Sequence, residues 1–392
     1  MEDDSPARHD RDAKRRPLVL HVRTVTGTGG GPEKTILRSP PYLRAAGWDA
    51  QCLYLHPPQD PSFEVLRRRA DAWGTPLLDL PDHGPCDLRL VRELVGVCDR
   101  LRPDIWHGHD YKSDPLGLVM RRARKEIFLV STVHGWGVPG RRVRLYRWIH
   151  QLSLRGFDRV ICVSEDLKRQ CIRAGIPARF CRVIENGVDT DLYARREPNE
   201  AAKARLGLTG DVFLVGAVGR LSPEKDYPTL LRAARRLTEV GSPIRVMIVG
   251  EGPEHERLAA LIQRDRLQGT VTLEGFQSDT LTYYQGFDAF VITSLDEGLP
   301  NVLLEALACE VPVVSTPVGG IGRVIEDGVN GLTIRPGDDI GLAVALRQLR
   351  DSDLRQRLGR AGRAIVQERY SFERRMRRVM AVYRELLETR TR

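Results

Sequence analysis

Twice along this chain, short runs of β-branched and apolar residues alternate with longer amphipathic stretches. The first series starts at Pro17. Residues 18–25 read as a strand, residues 27–31 as a tight glycine loop and residues 33–46 as a helix. Further strands are expected over residues 50–55, 105–107, 128–132 and 160–163, with helical stretches between them. Strand–helix alternation of this kind predicts a parallel sheet covered on both faces. The rhythm pauses over residues 186–200, a polar stretch broken by Gly187 and Pro198. It resumes with strands expected over residues 212–218, 244–249, 271–273, 289–293 and 311–315. The chain of 392 residues is too long for one ordinary core. The predicted architecture is therefore α/β, with two tandem Rossmann-like, doubly wound parallel-sheet domains facing across a cleft. The expected division is a disordered tail over residues 1–16, an N-terminal Rossmann-like domain over 17–195 and a C-terminal Rossmann-like domain over 196–370. A final amphipathic helix is expected over 371–392; its apolar face, Phe372, Met376, Val379, Met380, Tyr383, Leu386 and Leu387, must pack on something, and the first domain is the expected partner.

Composition narrows the function classes. With 41% hydrophobic and 29% charged residues the chain has the make-up of a globular protein, not of a disordered one. A net charge of +9 suits anionic partners. No RNA-binding signature, zinc-finger spacing or basic run with interleaved aromatics accompanies it, so nucleic acid is not the expected partner. The seven cysteines are odd in number and form no C-x-x-C pair, which reads as reduced, buried thiols in a cytoplasmic protein. No run approaches the roughly 18 apolar residues that span a bilayer. Residues 1–16 are charged and lack the apolar core of a secretory signal.

In open parallel sheets, ligands bind beyond the carboxyl ends of the strands, and three such loops carry chemistry. Gly27-Thr28-Gly29-Gly30-Gly31-Pro32-Glu33-Lys34 follows a strand and opens a helix, where glycines let backbone amides approach an anion. It is not the dinucleotide pattern G-x-G-x-x-G, because Pro32 or Lys34 stands at the third glycine; a plain strand–helix turn is the alternative. Gly219-Arg220-Leu221-Ser222-Pro223-Glu224-Lys225 places two cations on one loop, an Arg fork and a Lys point charge that suit a diphosphate. The third loop runs from Glu297 through Gly298-Leu299-Pro300-Asn301 to Glu305. Its helix-start amides can bind phosphate or sugar oxygens, and its carboxylates can accept from paired hydroxyls.

With these motifs, and with Asn186-Gly187-Val188-Asp189 and Val249-Gly250-Glu251-Gly252-Pro253, the sequence resembles the retaining glycosyltransferases of family 4, which have the GT-B fold. The resemblance covers the chain from about Pro17 to the final helix. It implies transfer of a sugar from a nucleotide-diphosphate-sugar donor, without a metal or other cofactor, to a glycan or lipid-linked acceptor in polysaccharide or glycoconjugate biosynthesis. Arg220 and Lys225 would bind the donor diphosphate, Glu305 the ribose, and Glu297 with the amides of Gly298 to Asn301 the donor sugar. Gly29, Gly30 and Gly31 would close over the phosphates, Gly219, Gly250 and Gly252 would line the donor site, and His134 would sit near the reacting carbon. A nucleotide-sugar epimerase or hydrolase and a non-catalytic sugar-nucleotide-binding protein are the rival readings.

Three further features stay open. His107-Gly108-His109-Asp110 follows a strand, making His109, Tyr111 and Lys112 candidates for acceptor binding, with a structural histidine pair as the alternative. Asp189-Thr190-Asp191 mimics a metal-binding D-x-D but lies at the domain junction and reads as structural. In Arg141–Leu154, Leu145, Trp148, Ile149 and Leu152 share a helical face ringed by arginines. Such a helix suits peripheral contact with an anionic membrane at its inner face; the alternative is that the stripe packs on its own domain.

Overall fold

The computed structural model describes residues 15–85, 87–135, 141–209, 212–242 and 244–390. Most of the tail expected over residues 1–16 lies outside them, as do Cys86 and the side chains of Arg141 and Arg142. The chain forms two compact units. One contains the residues up to Ile184 together with Met376–Arg392; the other is Glu185–Arg375.

The first unit is built on seven parallel strands: β1 (Leu18–Thr24), β2 (Asp49–His56), β3 (Leu77–Pro81), β4 (Ile105–Gly108), β5 (Phe128–Val133), β6 (Arg159–Cys162) and β7 (Cys181–Val183). Their order is β3-β2-β1-β4-β5-β6-β7. The second has β8 (Phe213–Val218), β9 (Ile244–Val249), β10 (Val271–Gly275), β11 (Ala289–Ile292), β12 (Val313–Ser315) and β13 (Leu332–Thr333), in the order β10-β9-β8-β11-β12-β13. Both sheets therefore reverse direction beside their first strand, β1 against β4 and β8 against β11. At such a switch point the connections leave to opposite faces and a crevice opens beyond the strand ends.

Side-chain alternation builds the cores. In β8, Phe213, Val215 and Ala217 face one cluster, with Leu230, Leu237, Val246 and Ile248. Leu214 faces the other, with Phe287, Phe290, Leu303, Leu304 and Leu307. Both faces are apolar because both are covered by helices, which is why these strands read as nearly continuous hydrophobic runs. In the first unit Leu20, Val22 and Trp106 enter one cluster. His21 and His107, partners in the β1–β4 register, point to the opposite face.

The chain passes from one unit to the other between Ile184 and Glu185, earlier than the boundary expected at residue 195. The reason is backbone pairing: Val188 N–H donates to Tyr370 O and Phe372 N–H to Val188 O, which ties the junction segment into the second unit. The last helix, Phe372–Arg390, starts there and ends in the first unit. Within that unit Tyr383 meets the His107 Nδ1 at 2.5 Å, Arg159 pairs with Glu385 at 2.5 Å, and Arg390 pairs with Asp104 at 3.0 Å. The D-x-D segment is a turn: Asp189 Oδ1 accepts from the amides of Asp191 and Leu192 at 3.1 and 3.0 Å.

Candidate functional site

In the second unit the switch point between β8 and β11 gathers the charged motifs. The loop after β8 carries Arg220 and Lys225; the loop after β11 carries Ser294 to Asn301 and then the helix Asn301–Ala308. The Lys225 ammonium pairs directly with Glu297 Oε1, and Ser294 Oγ donates to the same oxygen at 2.8 Å. Two backbone-directed bonds lock the loops side by side: Thr293 Oγ1 donates to Lys225 O at 2.8 Å and Leu295 N–H to Glu224 O at 2.8 Å. Arg220 is exposed and forms no ion pair among the described residues. Glu224 accepts from Ser222 Oγ at 2.6 Å; its carboxyl is held below the usual range by hydrogen bonding and by Lys225 and Arg220, which outweigh the opposing effect of burial.

Glu305 lies one turn into its helix and is almost completely buried. Tyr284, itself buried, donates its hydroxyl to Glu305 Oε2 at 2.9 Å, and burial together with that carboxylate pushes the phenol well above its ordinary range. The Gly298–Asn301 turn is pinned from two sides. Asn186 Nδ2 donates to Leu299 O at 3.0 Å, and Gly320 N–H donates to Gly298 O at 2.7 Å. Gly250 and Gly252 have a tight steric reason to be glycine. A Cβ on Gly250, at φ +144°, would stand 2.0 Å from Gly219 O, and one on Gly252 would stand 2.3 Å from Leu221 O. Close approach of the two loops also allows Gly219 N–H to reach Val249 O at 2.9 Å.

The glycine loop of the first unit is organised by carboxylates of its own unit. Gly27 N–H donates to Asp60 Oδ2 at 2.8 Å, and Gly30 N–H donates to Glu33 Oε2 at 2.5 Å. Glu33 is buried and also accepts from Arg23 Nε at 2.8 Å. Gly29 adopts φ +70°, and a Cβ there would stand 2.7 Å from Glu33 Cγ. Gly31 opens the helix Gly31–Ala45.

The three acceptor-side candidates separate. The Lys112 ammonium pairs with Asp82 and donates to Gly84 O at 2.6 Å, so it is committed within its own loop. Tyr111 is exposed and stacks on Tyr146 at 5.0 Å between centroids. His109 is buried, and His134 is half-buried just beyond the end of β5. Sequence reasoning passed over His21 and Tyr284. A histidine inside the apolar strand Leu-Val-Leu-His-Val was the available signal for His21, since a buried polar residue is the informative exception. Tyr284 carried no such signal, because an aromatic residue in a helix reads as core.

In the helix Arg141–Leu154, the packed face is His150, Ser153 and Leu154, with His150 Nε2 2.6 Å from the buried Asp114 Oδ2. Leu145, Trp148 and Leu152 are 56, 60 and 48% exposed. The stripe expected as one of two alternatives to pack on its own domain therefore lies outward at these three positions.

Two Rossmann-like units, each a parallel sheet with a crevice at its switch point, define the GT-B class of fold. Two family models agree: "Glycosyltransferase Family 4" matches residues 29–192, and "Glycosyl transferases group 1" matches residues 198–365. A D-inositol 3-phosphate glycosyltransferase of Mycobacterium bovis is 31% identical over 364 residues, covering 84% of this chain and 74% of its own. The N-acetyl-alpha-D-glucosaminyl L-malate synthase of Bacillus anthracis is 26% identical over 311 residues, covering 78% and 81%. Among solved structures, the Anabaena protein HepE in complex with UDP-glucose aligns with a TM-score of 0.80 at 23% identity, over 94% of this chain and 99% of its own. The chain belongs to the family 4 glycosyltransferases.

Proposed function

We propose that this glycosyltransferase transfers a sugar with retention of configuration, without a metal, from a nucleotide-diphosphate-sugar donor to a glycan or lipid-linked acceptor. The observation that carries this reading is the meeting of Lys225 and Glu297 at the β8–β11 switch point, with Arg220 exposed on the same loop. Arg220 and Lys225 face the donor diphosphate. Glu297 and the amides of Gly298, Leu299 and Asn301 hold the sugar hydroxyls, and Glu305 holds the ribose. As Glu297 takes sugar hydroxyls, Lys225 turns its charge to the phosphate. The bond from the anomeric carbon to the diphosphate oxygen then breaks, a bond to the acceptor oxygen forms on the same face, and the acceptor's proton passes to the departing diphosphate. Fixed cations aimed at that growing charge are worth several kcal/mol, on the order of an oxyanion hole.

The relatives' names support a place in polysaccharide or glycoconjugate assembly: a capsular polysaccharide glycosyltransferase of Staphylococcus aureus and a galactosyltransferase of Escherichia coli acting on a diphosphoundecaprenol-linked sugar are among them. No helix among the described residues is long and apolar enough to cross a membrane. The outward Leu145, Trp148 and Leu152, flanked by Arg144 and Arg147, support peripheral contact of a cytoplasmic enzyme with an anionic bilayer.

The test is a thermal-shift screen of nucleotide sugars, followed by transfer with the stabilising donor in chelator and proton NMR of the product's anomeric centre. A donor at a hundred times its Kd stabilises the fold by about 2.7 kcal/mol. Retained configuration with undiminished turnover in chelator is the expected result. Inversion, or loss of turnover on chelation, would overturn the corresponding part of the reading.

A further inference from the structure

Three hydroxyl residues stand at strand ends of the second sheet: Thr293 and Ser294 just past β11, and Thr316 just past β12. All three are buried. A hydroxyl has one proton to donate, and a buried one left unspent is costly. Thr293 Oγ1 donates to Lys225 O at 2.8 Å and Thr316 Oγ1 to Ser294 O at 2.6 Å, so these two hold the backbone of a neighbouring loop. Ser294 differs. A serine at a turn commonly bonds a nearby backbone group, whereas Ser294 Oγ donates to a side chain, Oε1 of Glu297, at 2.8 Å. The bond from Thr316 fixes the serine's own backbone, so its hydroxyl is presented from a rigid support.

The two oxygens of Glu297 are therefore unequal. Oε1 takes both the Ser294 hydroxyl and the Lys225 ammonium. Oε2 has no hydrogen-bond partner among the described residues. The side chain is only 11% exposed, yet Oε2 is not sealed from solvent. Both oxygens of a carboxylate accept, so Oε2 is the one with its capacity left for a ligand. The two donors on Oε1 are unequal as well. Lys225 is a point charge on a flexible four-carbon stem, while the Ser294 hydroxyl is one side-chain torsion from a pinned backbone. Once the ammonium turns to a phosphate, the hydroxyl alone holds Oε1. The last torsion of a glutamate is broad and roughly two-fold, so without that anchor the carboxylate would present either oxygen.

We propose that Ser294 is a positioning residue that acts through Glu297: it keeps Oε1 turned inward when Lys225 leaves, and so commits Oε2 to a hydroxyl of the donor sugar. Ser294, Lys225 and Glu297 all belong to the second unit. The role at the sugar rests on the functional reading above; the anchoring of Oε1 does not.

Ser294→Ala removes the hydroxyl and little else. Ser294→Cys, which keeps a weak donor of similar reach, is the second variant, should the first not fold. Calorimetry on each measures two affinities: for the nucleotide sugar that stabilises the fold in the screen above, and for its nucleoside diphosphate, which lacks the sugar. Ser294→Ala should weaken the nucleotide sugar about tenfold, the weight of one hydrogen bond to a charged group, and leave the diphosphate within about twofold of the parent. Ser294→Cys should fall between parent and Ser294→Ala. A serine that only supports the loop would weaken both ligands alike. In a Glu297→Ala background Ser294→Ala should add no further loss, because the group it orients is gone. Equal losses for the two ligands, no loss for either, or the full tenfold loss on top of Glu297→Ala would overturn the proposal. If Glu297→Ala alone binds the nucleotide sugar as tightly as the parent, the placement of Glu297 at the sugar falls. If only Ser294→Ala is silent, that placement stands and the positioning role falls.

Discussion

The two units share one strand order around their first strand and set opposite chemistry at the same topological place. At the β8–β11 switch point stand Arg220, Lys225 and Glu297, partly exposed and charged. At the β1–β4 switch point stand His21, His107 and His109, buried, stacked and, at His109, held neutral. The contrast teaches that sheet order determines where a crevice opens, while the few residues just past the strand ends determine what it can bind. An anionic diphosphate calls for fixed cations that solvent can reach before the ligand does.

Removing charge from the second unit should break the contrast most strongly. Lys225→Ala, Arg220→Ala and Glu297→Ala should each lower kcat about a hundredfold or more while the circular dichroism spectrum is retained. Full transfer by any folded member of this set would show that the charged crevice is not the donor site. Next in size is Gly250→Ala. The new methyl group meets a carbonyl oxygen of the neighbouring loop, and overpacking of this kind costs about 2 kcal/mol. A unit of this size should then lose about 6 °C in its melting midpoint. An unchanged midpoint would mean that the two loops separate easily and that the crevice is not pre-built.

Tyr284→Phe sharpens the comparison on a finer scale. It removes the hydroxyl that orients Glu305 and keeps the packed ring. Nucleotide affinity by calorimetry should fall about fivefold, the weight of one buried hydrogen bond, with kcat at saturating donor little changed. An equal fall in both would place Glu305 in the chemical step. The smallest effect on the fold is expected from Trp148→Ser, an exposed position where substitutions shift stability by only about 0.5 kcal/mol. Co-sedimentation with anionic vesicles should nonetheless weaken clearly. Undiminished sedimentation would remove this helix face from the membrane reading.

The central strands were legible because each is a run of β-branched residues buried on both faces. Three strands were not anticipated: β3, β7 and β13. All three are edge or near-edge strands of two to five residues, and β3 ends on Pro81, so they owe their conformation to a neighbour more than to their own pattern. The charged motif residues of the second unit could be placed for a different reason: the Lys225 and Glu297 loops each follow a recognisable strand. Lys112 shows where such reasoning stops. Its position after β4 suggested a ligand contact, but the ammonium's partners, Asp82 and Gly84, arrive from a loop nearly thirty residues away.

By itself the sequence determined two parallel α/β sheets, the loops that would hold charge, and the absence of the dinucleotide pattern. These follow from local alternation and from which side chains stand beside a glycine. Tertiary structure alone decided that Lys225 meets Glu297, that Tyr284 orients Glu305, that the Leu145–Trp148–Leu152 stripe faces outward, and that His21 on β1 meets His109 just past β4, which in turn meets His134 just past β5. Those pairings depend on the register and order of strands far apart in sequence, and no local pattern encodes which two strand ends will lie side by side.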